Sequence, residues 1–236
     1  MLNIKRQFFV VGFLSFFFIS GNLLAQKINQ FNDNKERTGI WKKYHSNKKI
    51  RYEGEFKNGK EIGIFKFYDV RTSDYPIIIK KFDENSDFVS VQFFSTTGKL
   101  QSEGIMKNRE REGKWVYYSI KDKILSTENY VNGKLEGEAV TYYIDGKVAE
   151  RSFFKNGLKT DKNSKYSSDG ILIEEVTFKN GLENGVAKYF DLKGNLKEKG
   201  SYKDGKRLGD WDYYIDGEIA SDKEIKEARG KYKKEN

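Results

Sequence analysis

The 236-residue chain contains no cysteine, one proline and one histidine. The absence of cysteine excludes disulfides, thiolate metal sites and a lipid anchor on a cysteine. The only histidine, His45, lies in a predicted strand, which favours an exposed side chain rather than a catalytic base. The sequence also lacks a Gly-x-Ser-x-Gly elbow, a P-loop and a dinucleotide-binding motif. We therefore predict that the protein is not an enzyme and uses no cofactor or metal.

Aromatic residues and glycine, in contrast, are abundant. Aromatic side chains make up 15% of the chain, and it contains 22 glycines. Aromatic side chains suit strands that pack on one face and keep a polar group accessible. Many glycines beside a single proline indicate frequent tight turns. The composition therefore predicts an all-β fold.

The first 25 residues differ from the rest of the chain. Lys5 and Arg6 precede the apolar run FFVVGFLSFFFIS, and Ala25 is a small residue before Gln26. This order is typical of a secretory signal peptide. The alternative is an uncleaved membrane anchor, but the run is shorter than the roughly 20 residues of a spanning helix. We expect residues 1–25 to be removed and the protein to be exported to the periplasm, the cell envelope or the medium.

A repeat with a period of 24 or 25 residues runs through the remaining sequence. The eight units begin at Gly39, Gly63, Phe88, Gly113, Gly137, Asp161, Gly185 and Gly209. The fifth residue after each start is aromatic: Tyr44, Tyr68, Phe93, Tyr118, Tyr142, Tyr166, Phe190 and Tyr214. The second residue is tryptophan in three units: Trp41, Trp115 and Trp211. A fixed period of this length indicates a repeat architecture.

Each unit contains two short apolar runs and two turn signals. Asp145-Gly146 and Asn156-Gly157 are examples of the two signals. Both dipeptides tolerate the positive φ angles of a type I′ turn, so we predict a β-hairpin in each unit. Neighbouring hairpins then pair in an elongated, twisted antiparallel sheet.

The sequence suggests four segments. These are a signal peptide (1–25), a polar leader (26–38), the array of eight units with the last one truncated (39–217) and a C-terminal cap or tail (218–236). Ser221 and Glu224 form a capping-box pattern, and Ile225, Ala228 and Tyr232 follow at helical spacing, which predicts a short helix or tail over the last strand edge.

Units two and three depart from the pattern. Unit two contains the only proline, Pro76, and unit three has Arg109 where the turn glycine is expected. They are either repeats with longer turns or a specialised binding segment in the middle of the array.

The unit G-x-W-x-Y-Y, followed by a turn and E-G-x-Y-K-x-G-K-x-x-G, resembles the MORN-repeat family in its bacterial variant, from about Gly39 to Gly217. The resemblance implies an elongated array of hairpins that contacts proteins or lipids and has no chemistry of its own. Some relatives are labelled antitoxins, a role that an export signal does not suit. The segment GDWDYYIDGEIA is also similar to the aromatic repeats of cell-wall-binding modules, which have a shorter period.

The charge of the chain gives a weaker indication of the partner. The net charge is +9, and removal of Lys5 and Arg6 leaves 42 basic and 35 acidic residues. A basic surface outside the cytoplasm attracts anionic partners. We predict a non-catalytic protein-interaction scaffold at the cell envelope. The alternative is a module that binds carbohydrate or anionic lipid, and nucleic acid does not suit the compartment.

The position-five aromatics have two interpretations. In a scaffold they form the packed face, so Tyr44, Tyr118, Tyr142 and Tyr166 are buried. In a carbohydrate-binding module some of these rings are exposed in a row beside lysines and bind the ligand.

Overall fold

The computed structural model describes residues 27–226. It confirms the all-β prediction, because eighteen strands and one short C-terminal helix, residues 222–226, account for its regular structure. The strands are β1 (Gln30–Phe31), β2 (Arg37–Tyr44), β3 (Ile50–Lys57), β4 (Lys60–Phe67), β5 (Ile78–Phe82), β6 (Phe88–Phe94), β7 (Leu100–Lys107), β8 (Glu110–Tyr118), β9 (Ile124–Val131), β10 (Lys134–Leu135), β11 (Gly137–Tyr142), β12 (Val148–Lys155), β13 (Leu158–Tyr166), β14 (Leu172–Lys179), β15 (Leu182–Phe190), β16 (Leu196–Lys203), β17 (Lys206–Ile215) and β18 (Glu218–Ile219).

The strands form one open antiparallel sheet in hairpin order. Each strand pairs with the next along the chain, and β9 pairs with both β10 and β11. The predicted leader contains β1 and the beginning of β2, so the sheet starts before the first repeat. No helix within residues 27–226 is long and apolar enough to cross a membrane.

The Asn-Gly turns have the predicted type I′ geometry. In Asn156-Gly157 the φ angles are 51° and 83°, and in Asn180-Gly181 they are 50° and 85°. Each turn also bonds to the repeat before it, because the Gly157 N–H donates to the Leu135 carbonyl at 2.8 Å. Gly181 makes the equivalent bond, so the turns on this edge are joined by a ladder of backbone hydrogen bonds.

The other turns differ from the prediction. In Asp145-Gly146 only the glycine has a positive φ, of 90°, so the predicted type I′ turn is wrong here. The chain instead makes a five-residue turn, in which the Tyr143 N–H donates to the Lys147 carbonyl at 2.8 Å. This longer turn needs one left-handed residue, and the strand register shifts at Tyr142 just before it.

The glycine that begins most units lies in a β-bulge. Gly113 has a φ of 63°, and the three residues from Gly113 to Trp115 face Gly104 alone on β7. The left-handed conformation is cheap for glycine and explains the residue at this position. Asp161 adopts it in its own unit with a φ of 55°.

The buried core lies on one side of the sheet, which we call the front face. Its centre is the residue at position two of each unit, such as Phe65 and Trp115, which are almost completely buried. Trp41, Phe56 and Phe65 form one cluster, and Val91, Trp115 and Tyr130 form another.

Side-chain size is complementary between neighbouring strands of the front face. The Trp115 ring covers Gly104, where an added Cβ would lie 2.4 Å from Trp115 Cδ2. Phe65 covers Gly54 and Trp211 covers Gly200 in the same way. At the equivalent place in β14 and β15, Val176 lies opposite Ala187. A ring on one strand therefore requires glycine on the strand before it.

An arginine four residues before each tryptophan covers its outer surface. The guanidinium carbons of Arg37, Arg111 and Arg207 lie 5.1, 4.9 and 4.1 Å from the ring centroids of Trp41, Trp115 and Trp211. Cation–π contacts of this kind contribute about 0.5–1 kcal/mol at exposed sites. The front face is therefore an aromatic layer roofed by arginine at these three units.

Candidate functional site

The position-five residues lie mainly outside the buried core. The prediction that Tyr44 is buried is wrong, since 53% of its surface is exposed. The other seven are half-buried: Tyr68, Phe93, Tyr118, Tyr142, Tyr166, Phe190 and Tyr214. The physical reason is the register shift at this position, seen at Tyr44 and Tyr118, which turns the side chain out of the front-face alternation.

Unit three is displaced by one residue from the predicted register. The shift falls between Phe93 and Phe94, so Phe94 occupies the bulge position. Phe93 instead packs on the front face, with its ring centroid 6.1 Å from that of Trp115. Val91, two residues after Val89, then takes the buried place that tryptophan occupies in unit four.

Two position-five tyrosines bind glutamates across the sheet. The hydroxyl of Tyr118 donates to Glu103 Oε1 at 2.6 Å, and that of Tyr68 donates to Glu53 Oε1 at 3.0 Å. Burial and the hydrogen bond to the carboxylate raise the pKa of each tyrosine to about 12. Burial acts to raise the pKa of Glu53, but hydrogen bonds from Tyr68 and Lys42 outweigh it and lower that pKa. Polar contacts therefore account for these hydroxyls, and neither is a proton donor near neutral pH.

The side of the sheet opposite the core, which we call the back face, is covered by ion pairs in the regular units. Glu175 lies between Lys162 at 3.3 Å and Lys188 at 4.0 Å. In the first repeats Glu53 is placed similarly between Lys42 and Lys66. Alternating charges across neighbouring strands keep this face solvated and satisfied.

Units two and three interrupt this charged surface with a hollow. Its volume is about 420 Å³, and Ile64, Ile79, Ile105 and Lys81 are among the residues that line it. Ile64 lies opposite Lys81, and Ile79 lies on the next row of the same face. Ile64 is 56% exposed and Ile105 is 40% exposed. Isoleucine side chains left in water on a strand face are typical of a contact surface.

The polar residues of the hollow divide into satisfied and available groups. Glu103 accepts hydrogen bonds from Tyr118 and from Gln92 Nε2, the latter at 2.9 Å. Lys81 is exposed and makes no ion pair within the described residues. The hollow thus offers aliphatic surface around a single available ammonium group.

A second depression lies at the Asn-Gly edge of the same units. It is lined by the loop between β5 and β6, including Asp83 and Glu84, and by Lys57, Lys60 and Arg109 on the other side. Lys57 Nζ lies 2.5 Å from Glu84 Oε2, so charges of the depression neutralise each other. This depression therefore offers less free binding capacity than the isoleucine hollow.

The described residues contain no arrangement that suggests catalysis. No group of three or more His, Asp or Glu within residues 27–226 is placed to hold a metal ion. His45 lies in a turn after β2 rather than in the predicted strand, and its Nε2 is 3.2 Å from the Tyr68 carbonyl oxygen. The histidine is half-buried and tied to the neighbouring turn.

The geometry agrees with a comparison to known families. Residues 37–58, 135–156 and 183–204 match the MORN repeat variant. Each match spans the second half of a hairpin unit or its counterpart, including the Asn-Gly or Asp-Gly turn. MORN repeats are repeat-type modules associated with protein or membrane-lipid interaction. The chain matches no curated protein.

Sequence reasoning did not find the hollow. Ile64 follows the unit-start glycine, where other units carry residues such as Lys114 and Lys162, and Ile105 occupies a position taken by Thr177 and Ser201 elsewhere. The substitution of isoleucine for polar residues at two aligned positions was therefore visible. Only the strand register shows that they meet, since β5 and β6 lie between them.

Proposed function

We propose that this chain is an exported, non-catalytic scaffold that binds a protein at the cell envelope through the hollow of units two and three. The observation that carries the proposal is the hollow itself, in which exposed Ile64 and Ile105 flank Lys81. The pattern of residues 1–25, which lie outside the described residues, supports export.

The chemistry of the hollow defines the partner. Isoleucines gain free energy when another apolar surface covers them, by about 25 cal/mol per Å² of area removed from water. Lys81 then requires an acidic group, because a buried ammonium without a partner is costly. The partner therefore presents aliphatic side chains beside an aspartate or glutamate.

The position-five aromatics do not favour the carbohydrate alternative. Of the predicted row, Tyr44 alone is a large exposed ring, and Tyr68 and Tyr118 use their hydroxyls within the sheet. A stacking platform needs several exposed rings in sequence. The hollow is a more continuous apolar surface than this row.

The proposal is tested by capture from envelope extracts with residues 26–236 as bait. We expect a specific protein to bind and to be lost when Ile64 and Ile105 are both replaced by lysine. A matched control replaces Ile120 and Leu192 by lysine, because these residues are 83% and 72% exposed on turns away from the hollow. Capture that survives the hollow variant, or retention of glycan or anionic vesicles in place of protein, contradicts the proposal.

A further inference from the structure

The two ends of the sheet differ in how their outer strands are covered. At the first end, β1 pairs with Arg37 and Thr38 of β2, and the Asn29 side chain accepts a hydrogen bond from the Lys42 N–H at 2.8 Å. At the other end, β18 pairs only with Tyr214 and Ile215 of β17. Within the described residues, no strand lies beside the outer edge of β17 from 206 to 212.

The side chains at this end are also less protected. Trp211 is half-buried, whereas its counterpart Trp115 is almost completely buried. The Trp115 indole N–H donates to the Ile105 carbonyl at 3.0 Å, but the Trp211 indole N–H has no partner among the described residues. The first strand of the eighth unit therefore lacks the neighbour that completes the other units.

The interior units define which sequence fits beside such a strand. The unit-start glycine lies opposite an aromatic residue, as in Gly39 with Phe56 and Gly185 with Tyr202. The position-two residue often lies opposite a glycine, as in Trp41 with Gly54. The strand that fits β17 therefore carries glycine opposite Trp211 and an aromatic residue opposite Gly209.

The chain contains this sequence beyond the described residues. Positions 229–233 read Arg-Gly-Lys-Tyr-Lys, and the second strands of units one and seven contain Gly-Glu-Phe-Lys and Gly-Ser-Tyr-Lys. In the register of the interior units, Gly230 is placed opposite Trp211 and Tyr232 opposite Gly209. Both requirements of the β17 edge are met at once.

Charge supports the same register. The residues that flank Trp211 along β17 are Asp210 and Asp212, both exposed. The register places Lys231 opposite Asp210 and Arg229 opposite Asp212. At the equivalent place in unit one, Lys42 lies opposite Glu53 and forms an ion pair at 3.2 Å. The signs are exchanged between the two strands, and the attraction is kept.

The connection to this segment also fits. Ile219 lies opposite Tyr214, and the Ala220 N–H donates to the Tyr213 carbonyl at 2.7 Å. The chain then leaves the edge at Ser221 and enters the short helix of residues 222–226. Arg229 would rejoin the same edge one position further along, after an excursion of residues 221–228.

We propose that residues 229–233 pair antiparallel with β17 and supply the second strand of the eighth repeat, with the short helix as an insertion within that strand. This assignment does not depend on the function proposed for the hollow. It replaces the predicted helical continuation to Ala228 and Tyr232, a prediction that lies outside the described residues.

Hydrogen exchange of the full chain tests the pairing. We expect amides in peptides covering 207–213 to exchange at least tenfold more slowly in the full chain than in a variant that ends at residue 226. Peptides from β8 serve as an internal reference, because a folded interior keeps their exchange unchanged. Equal exchange of β17 in both proteins overturns the proposal. Protection that survives truncation and rises with protein concentration assigns the edge to a second copy and also overturns it.

Charge exchange tests the register without removing residues. Replacing Asp210 and Asp212 by lysine should abolish the slow exchange, and adding Arg229→Asp with Lys231→Asp should restore it. Lys234→Glu is the control, because it reverses a charge of the same tail at a position outside the proposed pairs. Restoration by the control as well, or by neither variant, contradicts the register.

Discussion

The strand pairs β7–β8 and β14–β15 occupy equivalent places in the array, three repeats apart, and pack their front faces in opposite ways. In the first pair Gly104 lies under the Trp115 ring, and in the second Val176 lies opposite Ala187. On the back face the first pair contributes Ile105 to the hollow, whereas the second has Glu175 between two lysines. The comparison teaches that the repeat conserves the volume shared by two strands and leaves the back face free to vary.

The largest expected effect comes from breaking the ring-on-glycine contact. Gly104→Val places new atoms where the Trp115 ring lies, so we expect a loss of about 3 kcal/mol in the free energy of unfolding from overpacking. Trp115→Ala alone should lose about 3–5 kcal/mol because it leaves a cavity. Urea denaturation measures both.

The double variant copies the Val176–Ala187 pair and sharpens the comparison. We expect it to lose about 2 kcal/mol less than the sum of the two single losses, since the new valine fills the space of the ring. Ile105→Val, one residue away on the back face, is the control and should change stability by about 0.5 kcal/mol or less. A double variant with the full additive loss would disprove the shared-volume explanation.

A smaller effect is expected at the turns that follow β7 and β14. Arg109 has a φ of 70° where the equivalent Gly181 has 85°, so the side chain of Arg109 is held in the left-handed region. Arg109→Gly should therefore gain about 1 kcal/mol, and Gly181→Arg should lose about 1–2 kcal/mol. Thermal unfolding measures the change. Arg109→Lys keeps the strain and the charge and should be neutral, so a gain in that variant would point away from the backbone.

Alkaline pH should weaken the first region and not the second. Because folding raises the pKa of Tyr118 to about 12 from an ordinary value of 10, its contribution to stability is complete below pH 10 and is lost as the pH rises through 12. The equivalent residue in the second region is Phe190, which has no hydroxyl. The absorbance of tyrosinate, followed in Tyr118→Phe and Glu103→Gln, measures the effect. We expect Glu103→Gln to lower the pKa of Tyr118, and an unchanged titration would exclude the carboxylate as a cause.

The smallest effect on stability is expected in the hollow. Ile105→Lys should change the free energy of unfolding by about 0.5 kcal/mol or less, because the side chain is already exposed. Ile120→Lys provides the reference for an exposed isoleucine in a turn. If Ile105→Lys is far more destabilising than Ile120→Lys, the hollow is part of the core and not a contact surface.

The sequence predicts much of this fold because its local signals repeat. The period, the antiparallel hairpins and the type I′ turn at Asn156-Gly157 follow from spacing and backbone preference alone. The short helix begins as predicted, with the Ser221 N–H donating to Glu224 at 2.8 Å. These features depend on residues that lie close together in the chain.

The errors arise where one strand meets another. Position five was interpreted as the packed face because it is always aromatic, but the register shift at residues such as Tyr118 turns it away from the core. The contact between Gly104 and Trp115 joins two units, so it is not visible within either one. The hollow has the same origin, since Ile64 and Ile105 are brought together by two intervening strands. A single-unit pattern contains none of this information.

The ladder of turn hydrogen bonds has a consequence for the history of the chain. Gly133, Gly157, Gly181 and Gly205 each donate to a carbonyl 22 residues earlier, with N–O distances between 2.8 and 3.0 Å. A duplication or loss of one whole unit would join each turn to an identical acceptor, whereas a change of any other length would interrupt the ladder. Genes for such arrays should therefore grow and shrink by whole units, and the length of the array is open to selection without redesign of its parts.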